Sequence, residues 1–235
     1  MKNSVSLAKG LSIINSAING ALNSDDILTE LAKYGYTAEV IRNEGVVKFN
    51  LAESLTIKMT KEYGDQYSAS EQTIRLFNTY QPAYMEVVRL ARIALKDMPG
   101  ALHSLRATGS RNRSLSGFIK DARTLYRNLL EQPNYLEAVQ RFGVTAERLQ
   151  SALNDIDTIE ASHHNFLKEK GEAQTSTIAR DPAYDDLYRW YSDFRVVARL
   201  ALKEHPQLIE KMGIVVKTLI NKPDGRGKLR PKSPR

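Results

Sequence analysis

A sixteen-residue stretch that occurs twice sets the strongest limit on how this chain can fold. Tyr84-Met-Glu-Val-Val-Arg-Leu-Ala-Arg-Ile-Ala-Leu-Lys-Asp-Met-Pro99 returns as Tyr191-Ser-Asp-Phe-Arg-Val-Val-Ala-Arg-Leu-Ala-Leu-Lys-Glu-His-Pro206, with seven of the sixteen positions identical. Similarity extends well beyond this stretch. Residues 28–41 match a second segment 108 positions later, and residues from about 46 to 99 match one 107 positions later. Matched pairs include Glu53 with Glu160, Lys61-Glu62 with Lys168-Glu169, Gly64 with Gly171, and Asp65 with Glu172. The one-residue slip between the two offsets falls near Gly45. A period this long exceeds the roughly 20–50 residues of solenoid units. It predicts a tandem duplication, with copies at about 4–105 and 112–213, packed about a pseudo-two-fold axis as one domain over 1–220.

The spacing of apolar residues makes each copy helical. Leu7, Leu11, Ile14, Ile18 and Leu22 recur at three- and four-residue intervals, as do Phe118, Ile119, Ala122, Leu125, Tyr126 and Leu129. Gly35-Tyr-Thr-Ala-Glu39 and Gly143-Val-Thr-Ala-Glu147 each read as a helix stop followed by a new start. The glycine suits a position with positive φ, the threonine an N-cap, and the glutamate a first turn. A long helical segment is expected after each. Gly64 and Gly171 are the expected breaks, and the helix before Pro99 is expected to start or kink at Pro82. Period-2 alternation is missing throughout, so the fold class is all-α, a helical bundle.

Composition narrows the class. With no cysteine, disulfide and thiolate chemistry are excluded, which fits a cytoplasmic location. Apolar runs are short: Leu11-Ser-Ile-Ile14 is too brief for a signal-peptide core, and nothing approaches the roughly 18 residues of a membrane span. The net charge of +7 is uneven. Residues 221–235 hold six basic side chains against Asp224, a local +5 that leaves the remainder at +2. No membrane partner is expected, and nucleic acid or another polyanion only through this basic tail, read as flexible.

The motifs Gly-x-Thr-x-Glu (Gly35–Glu39), Lys-Glu-x-Gly-Glu (Lys168–Glu172), Ala-Arg-x-Ala-Leu (Ala91–Leu95) and Pro-x-Leu (Pro206–Leu208) resemble the pattern of a set of uncharacterised bacterial all-helical proteins with an internal duplication. The resemblance covers about residues 4–215. It implies an all-helical soluble fold and carries no activity with it.

Catalytic signatures are not found: there is no Gly-x-Ser-x-Gly elbow and no Gly-rich phosphate loop. Duplicated polar residues are the remaining candidates. With Tyr84 set at zero on a helical wheel, Ala91 and Leu95 fall within about 20°, Arg92 at about 80°, and Glu86 at about 200°. Arg92 and its counterpart Arg199 therefore flank the buried stripe, while Glu86 and Asp193 face solvent. Glu53 and Glu160 fall inside the apolar stripe of the preceding long helix, where a carboxylate needs a partner. Two Glu–Arg pairs, Glu53 and Glu160 with Arg92 and Arg199, are expected. Glu160-Ala-Ser-His163 spells a Glu-x-x-His metal motif, but the first copy reads Glu53-Ser-Leu-Thr56 and lacks the second histidine that a di-iron bundle needs. No cofactor is expected. The leading expectation is a non-catalytic interaction or scaffold protein with an unidentified protein partner or a second copy of itself. Its rival is a ligand- or metal-binding bundle with a polar site at Glu53, Glu160 and His163.

Overall fold

The computed structural model describes residues 4–112 and 114–214; the basic tail lies outside them. Every regular element among them is helical. In chain order they are α1 (Ser4–Leu22), α2 (Asp25–Ala32), α3 (Ala38–Val40), a π-helical turn (Ile41–Val46), α4 (Val47–Ala94), α5 (Pro99–Ser104), α6 (Leu115–Glu131), α7 (Pro133–Gln140), α8 (Ala146–Ala201) and α9 (Pro206–Lys211). None is long and apolar enough to cross a membrane.

Helix boundaries follow local chemistry. Thr37 accepts a hydrogen bond from the Val40 amide and Thr145 one from the Arg148 amide, each at 3.3 Å. Ser114 caps α6 through the Gly117 amide. Gly35 and Gly143 take φ of 86° and 78°, the left-handed conformation that ends α2 and α7. Pro99, Pro133 and Pro206 each open a short helix, where the missing amide costs nothing.

Neither Gly64 nor Gly171 breaks a helix, and no helix starts at Pro82. α4 runs through Gly64 and Pro82, and α8 through Gly171 and Pro182. A proline inside a helix removes one hydrogen bond and crowds the preceding turn, a cost of about 3 kcal/mol. Helices of 48 and 56 residues, anchored by packed residues on both sides of the proline, continue through it. Gly64 and Gly171 have open space where a side chain would be, so they lower helix propensity without forcing a turn.

The chain divides into two compact units. One holds residues up to Ser54 and those from Asp181 onward; the other spans Leu55–Arg180. In the first, α1 buries Leu7, Leu11, Ile14, Ala17, Ile18 and Ala21. They meet Ile27 and Leu31 of α2, Phe49 and Ala52, the end of α8 from Tyr184 to Ala198, and Leu202, Ile209 and Met212. Close approach is built in at Gly20, where an added Cβ would lie 2.8 Å from the Lys211 carbonyl oxygen. In the second, α6 buries Phe118, Ile119, Ala122, Leu125, Tyr126 and Leu129 against Tyr84, Val88 and Ala91 of α4 and Leu95 just after it, and against Val139, Leu149, Ile156 and Ile159. Phe118 makes edge-to-face contacts with Phe77 and Tyr84, at centroid separations of 4.9 and 5.2 Å.

Small side chains line the α4–α8 contact in the second unit. Ala69, Thr73, Ala173 and Ser176 are buried. The Thr73 and Ser162 hydroxyls lie 2.9 Å apart, and Thr73 also bonds the Ala69 carbonyl.

Candidate functional site

The arginine that meets Glu160 comes from α6. The apolar stripe of that helix turns Phe118, Ala122, Leu125 and Leu129 inward. Lys120, Arg123, Thr124 and Arg127, at intervals of three and four residues, then share its outer edge. Arg123 reaches α8 there. Its Nη1 donates to Glu160 Oε1 at 3.1 Å, and Nη2 donates to Glu160 Oε2 at 2.7 Å and Asp157 Oδ1 at 2.6 Å. This fork is the geometry in which a guanidinium binds carboxylate best. Arg123 holds the Glu160 carboxyl below its ordinary pKa through those hydrogen bonds. The Arg123 Nε is buried and has no hydrogen-bond partner among the described residues. Beside this cluster runs a groove of about 330 Å³ lined by Ser116, Lys120, Arg123, Thr124, Arg127 and Glu160, among others.

The expected pairing of Glu160 with Arg92 is therefore not formed. Arg92 donates instead to backbone carbonyls, Nε to Ala107 at 2.6 Å and Nη2 to Gly109 at 2.9 Å. After α5 the chain turns back over α4, with Arg106 at φ 49° and Gly109 at φ 67°, and delivers those oxygens to the guanidinium. Arg111 secures the same segment through the Tyr84 hydroxyl and the Arg106 and Thr108 carbonyls. Arg106 in turn reaches the buried Asp121 of α6 at 3.1 Å. Arg92 thus serves as a clasp on a loop.

Glu53 is exposed, as is Arg199. The buried stripe near Glu53 narrows to Phe49 and Ala52, whose mean direction lies about 70° away from it. Glu86 is a surface residue held 3.0 Å from Arg148, and Asp193 is exposed.

His163 is half-buried, its Nδ1 enclosed without a hydrogen-bond partner among the described residues and its ring stacked on Phe166 at 6.3 Å. Arg123 donates to both Glu160 oxygens, so a metal held by Glu160 and His163 would have to share that carboxylate with the guanidinium. Among the described residues, the three-membered group with converging ligand atoms is Glu62, Asp65 and Glu169, all within 4.8 Å of one another. Lys168 lies 3.6 Å from Glu169 and 3.6 Å from Glu172, which offsets part of that charge.

Aromatic residues near the end of α8 serve mainly as core. Tyr184, Trp190, Tyr191 and Phe194 are buried, Tyr188 is exposed, and Trp190 stacks on Phe194 at 5.1 Å. Trp190 also lies against Gly45 in the π-helical turn, where an added Cβ would collide with the indole ring.

Arg123 escaped the sequence reading because that reading followed duplicated polar residues. The corresponding residue on α1, 108 positions earlier, is Asn15. A helical wheel of α6 alone would have marked Arg123 as an edge cation. No family model matches this chain, and no curated protein or solved structure is similar to it.

Proposed function

We propose that this chain is a non-catalytic interaction protein, a tandem duplication with a pseudo-two-fold relation between its copies, and that it associates with a second copy of itself. The observation that carries the interaction reading is a face of α4 in the second unit. Tyr63, Tyr67 and Ile74 recur there at helical spacing, with Tyr67 73% and Ile74 56% exposed. Thr177 of α8 hydrogen-bonds the Tyr63 hydroxyl and borders the same side. Exposed apolar side chains gathered on one face, tyrosines among them, are the composition of a contact surface. Glu71 and Arg75 on the same stretch of helix satisfy each other at 2.6 Å, so no net charge there repels an identical face.

Two features support the duplication. Each unit combines the front of one copy with the back of the other. α1 and α2 pack with the end of α8 and α9, and α6 and α7 pack with the end of α4 and α5. Equivalent positions also meet: Glu62 and Glu169, separated by the 107-residue offset, bring carboxylate oxygens within 4.8 Å. Light scattering at roughly 100 μM, where a micromolar dimer is well formed, tests the association. The expected mass is twice that of the chain; the mass of a single chain overturns the reading.

A further inference from the structure

We propose that the groove between α6 and α8 binds the phosphate group of a small organic phosphate, with Lys120 and Arg127 as its cations and Thr124 between them. Arg123 is already committed to Asp157 and Glu160, and it forms a fixed wall. Lys120 and Arg127 take part in no such fork among the described residues, although the Arg127 charge helps Arg123 hold the Glu160 carboxyl ionised. Both are exposed, both line the groove, and neither forms a salt bridge among the described residues. They lie seven residues apart, about 10 Å along the helix, with Thr124 between them on the same edge, so their long side chains can both reach a group bound there. Thr124 spends its hydroxyl hydrogen on the Lys120 carbonyl. Ser116 adds a hydroxyl in the first turn of α6, where the helix dipole favours an anion.

Shape and charge select the class. A volume of about 330 Å³ holds more than a bare phosphate. Asn128 and Glu131 continue the lining beyond Arg127 and offer acceptors to hydroxyl groups on the rest of the ligand. The groove also differs from its counterpart on α1, where the matching edge reads Ser12, Asn15, Ser16 and Asn19. Both helices keep an apolar stripe against a core while this edge changes from neutral to cationic.

Isothermal titration calorimetry with glucose 6-phosphate, inorganic phosphate and glucose tests the site on the full chain. Glucose 6-phosphate binds in the millimolar range or tighter, inorganic phosphate more weakly, and glucose gives no heat. Lys120→Ala with Arg127→Ala, both on exposed side chains, weakens glucose 6-phosphate by at least about tenfold, with the thermal midpoint unchanged. The conservative pair Lys120→Arg and Arg127→Lys retains binding. Absence of binding to the wild-type chain, or equal affinity in the alanine pair, overturns the proposal. Self-association is read separately by light scattering, so either idea can fail without the other.

Discussion

Arg123 and Glu160 are joined through two parallel hydrogen bonds, Nη1–Oε1 at 3.1 Å and Nη2–Oε2 at 2.7 Å, which tie α6 to α8. Because 38% of the Glu160 side chain is exposed, solvent screens the pair. A double-mutant cycle of Arg123→Met and Glu160→Gln should give a coupling of about 1 kcal/mol near neutral pH.

The same pair predicts a pH dependence. Arg123 depresses the Glu160 pKa, so the folded state binds fewer protons than the unfolded chain in that range. The coupling is complete above the ordinary glutamate value of about 4.3. It is lost as pH falls through the lower folded value. Urea melts of the cycle at neutral and strongly acidic pH should show it disappear.

Buried tyrosines set the alkaline limit. Burial raises the hydroxyl pKa of Tyr84, Tyr126, Tyr184 and Tyr191. Their neutral forms belong to the folded state, so stability is full below the ordinary value of about 10 and falls as pH rises above it. Absorbance at 295 nm should show these phenols ionising together with unfolding, ahead of their own folded-state values.

Gly45 has a single optical reporter, the chain's one tryptophan. Gly45→Ala puts a methyl group into the indole of Trp190, which is 7% exposed. Overpacking of this kind costs about 1–3 kcal/mol. Trp190 emission should shift to the red in the folded variant, and the thermal midpoint should drop. An unchanged spectrum would mean the ring has room to move.

Local structure was legible where one residue decides it. Thr37 and Thr145 cap helices, Gly35 and Gly143 end them, and Leu7, Leu11, Ile14 and Ile18 face a core. No helix starts at Pro82, because a local penalty of a few kcal/mol is outweighed by packing along the rest of a long helix. Equivalence between copies also says nothing about adjacency. It linked Glu160 to Glu53 and Arg92 to Arg199, yet Glu160's partner lay on a helix whose counterpart has asparagine. The π-helical turn was foreshadowed by the slip in offset near Gly45, although its form was not. Residues 41–46 correspond to a segment one residue shorter, and a wider turn absorbs the extra residue without rotating the stripe that follows.

That account of the π turn makes deletions informative. Removing the exposed Asn43 should return the turn to α-helix and leave a folded chain. Removing the exposed Asn154 from regular α8 should rotate the following stripe by about 100° and unfold it. Circular dichroism melts of the two deletions compare them.

Sedimentation velocity of the Tyr67→Glu variant tests self-association through α4 most directly. Val196→Glu, at another exposed apolar position on α8, is the control. The account predicts a dimer for the wild-type chain and the control, and a folded monomer for Tyr67→Glu. A Tyr67→Glu chain that sediments as a dimer, or a wild-type chain that is monomeric at the same concentration, would contradict it.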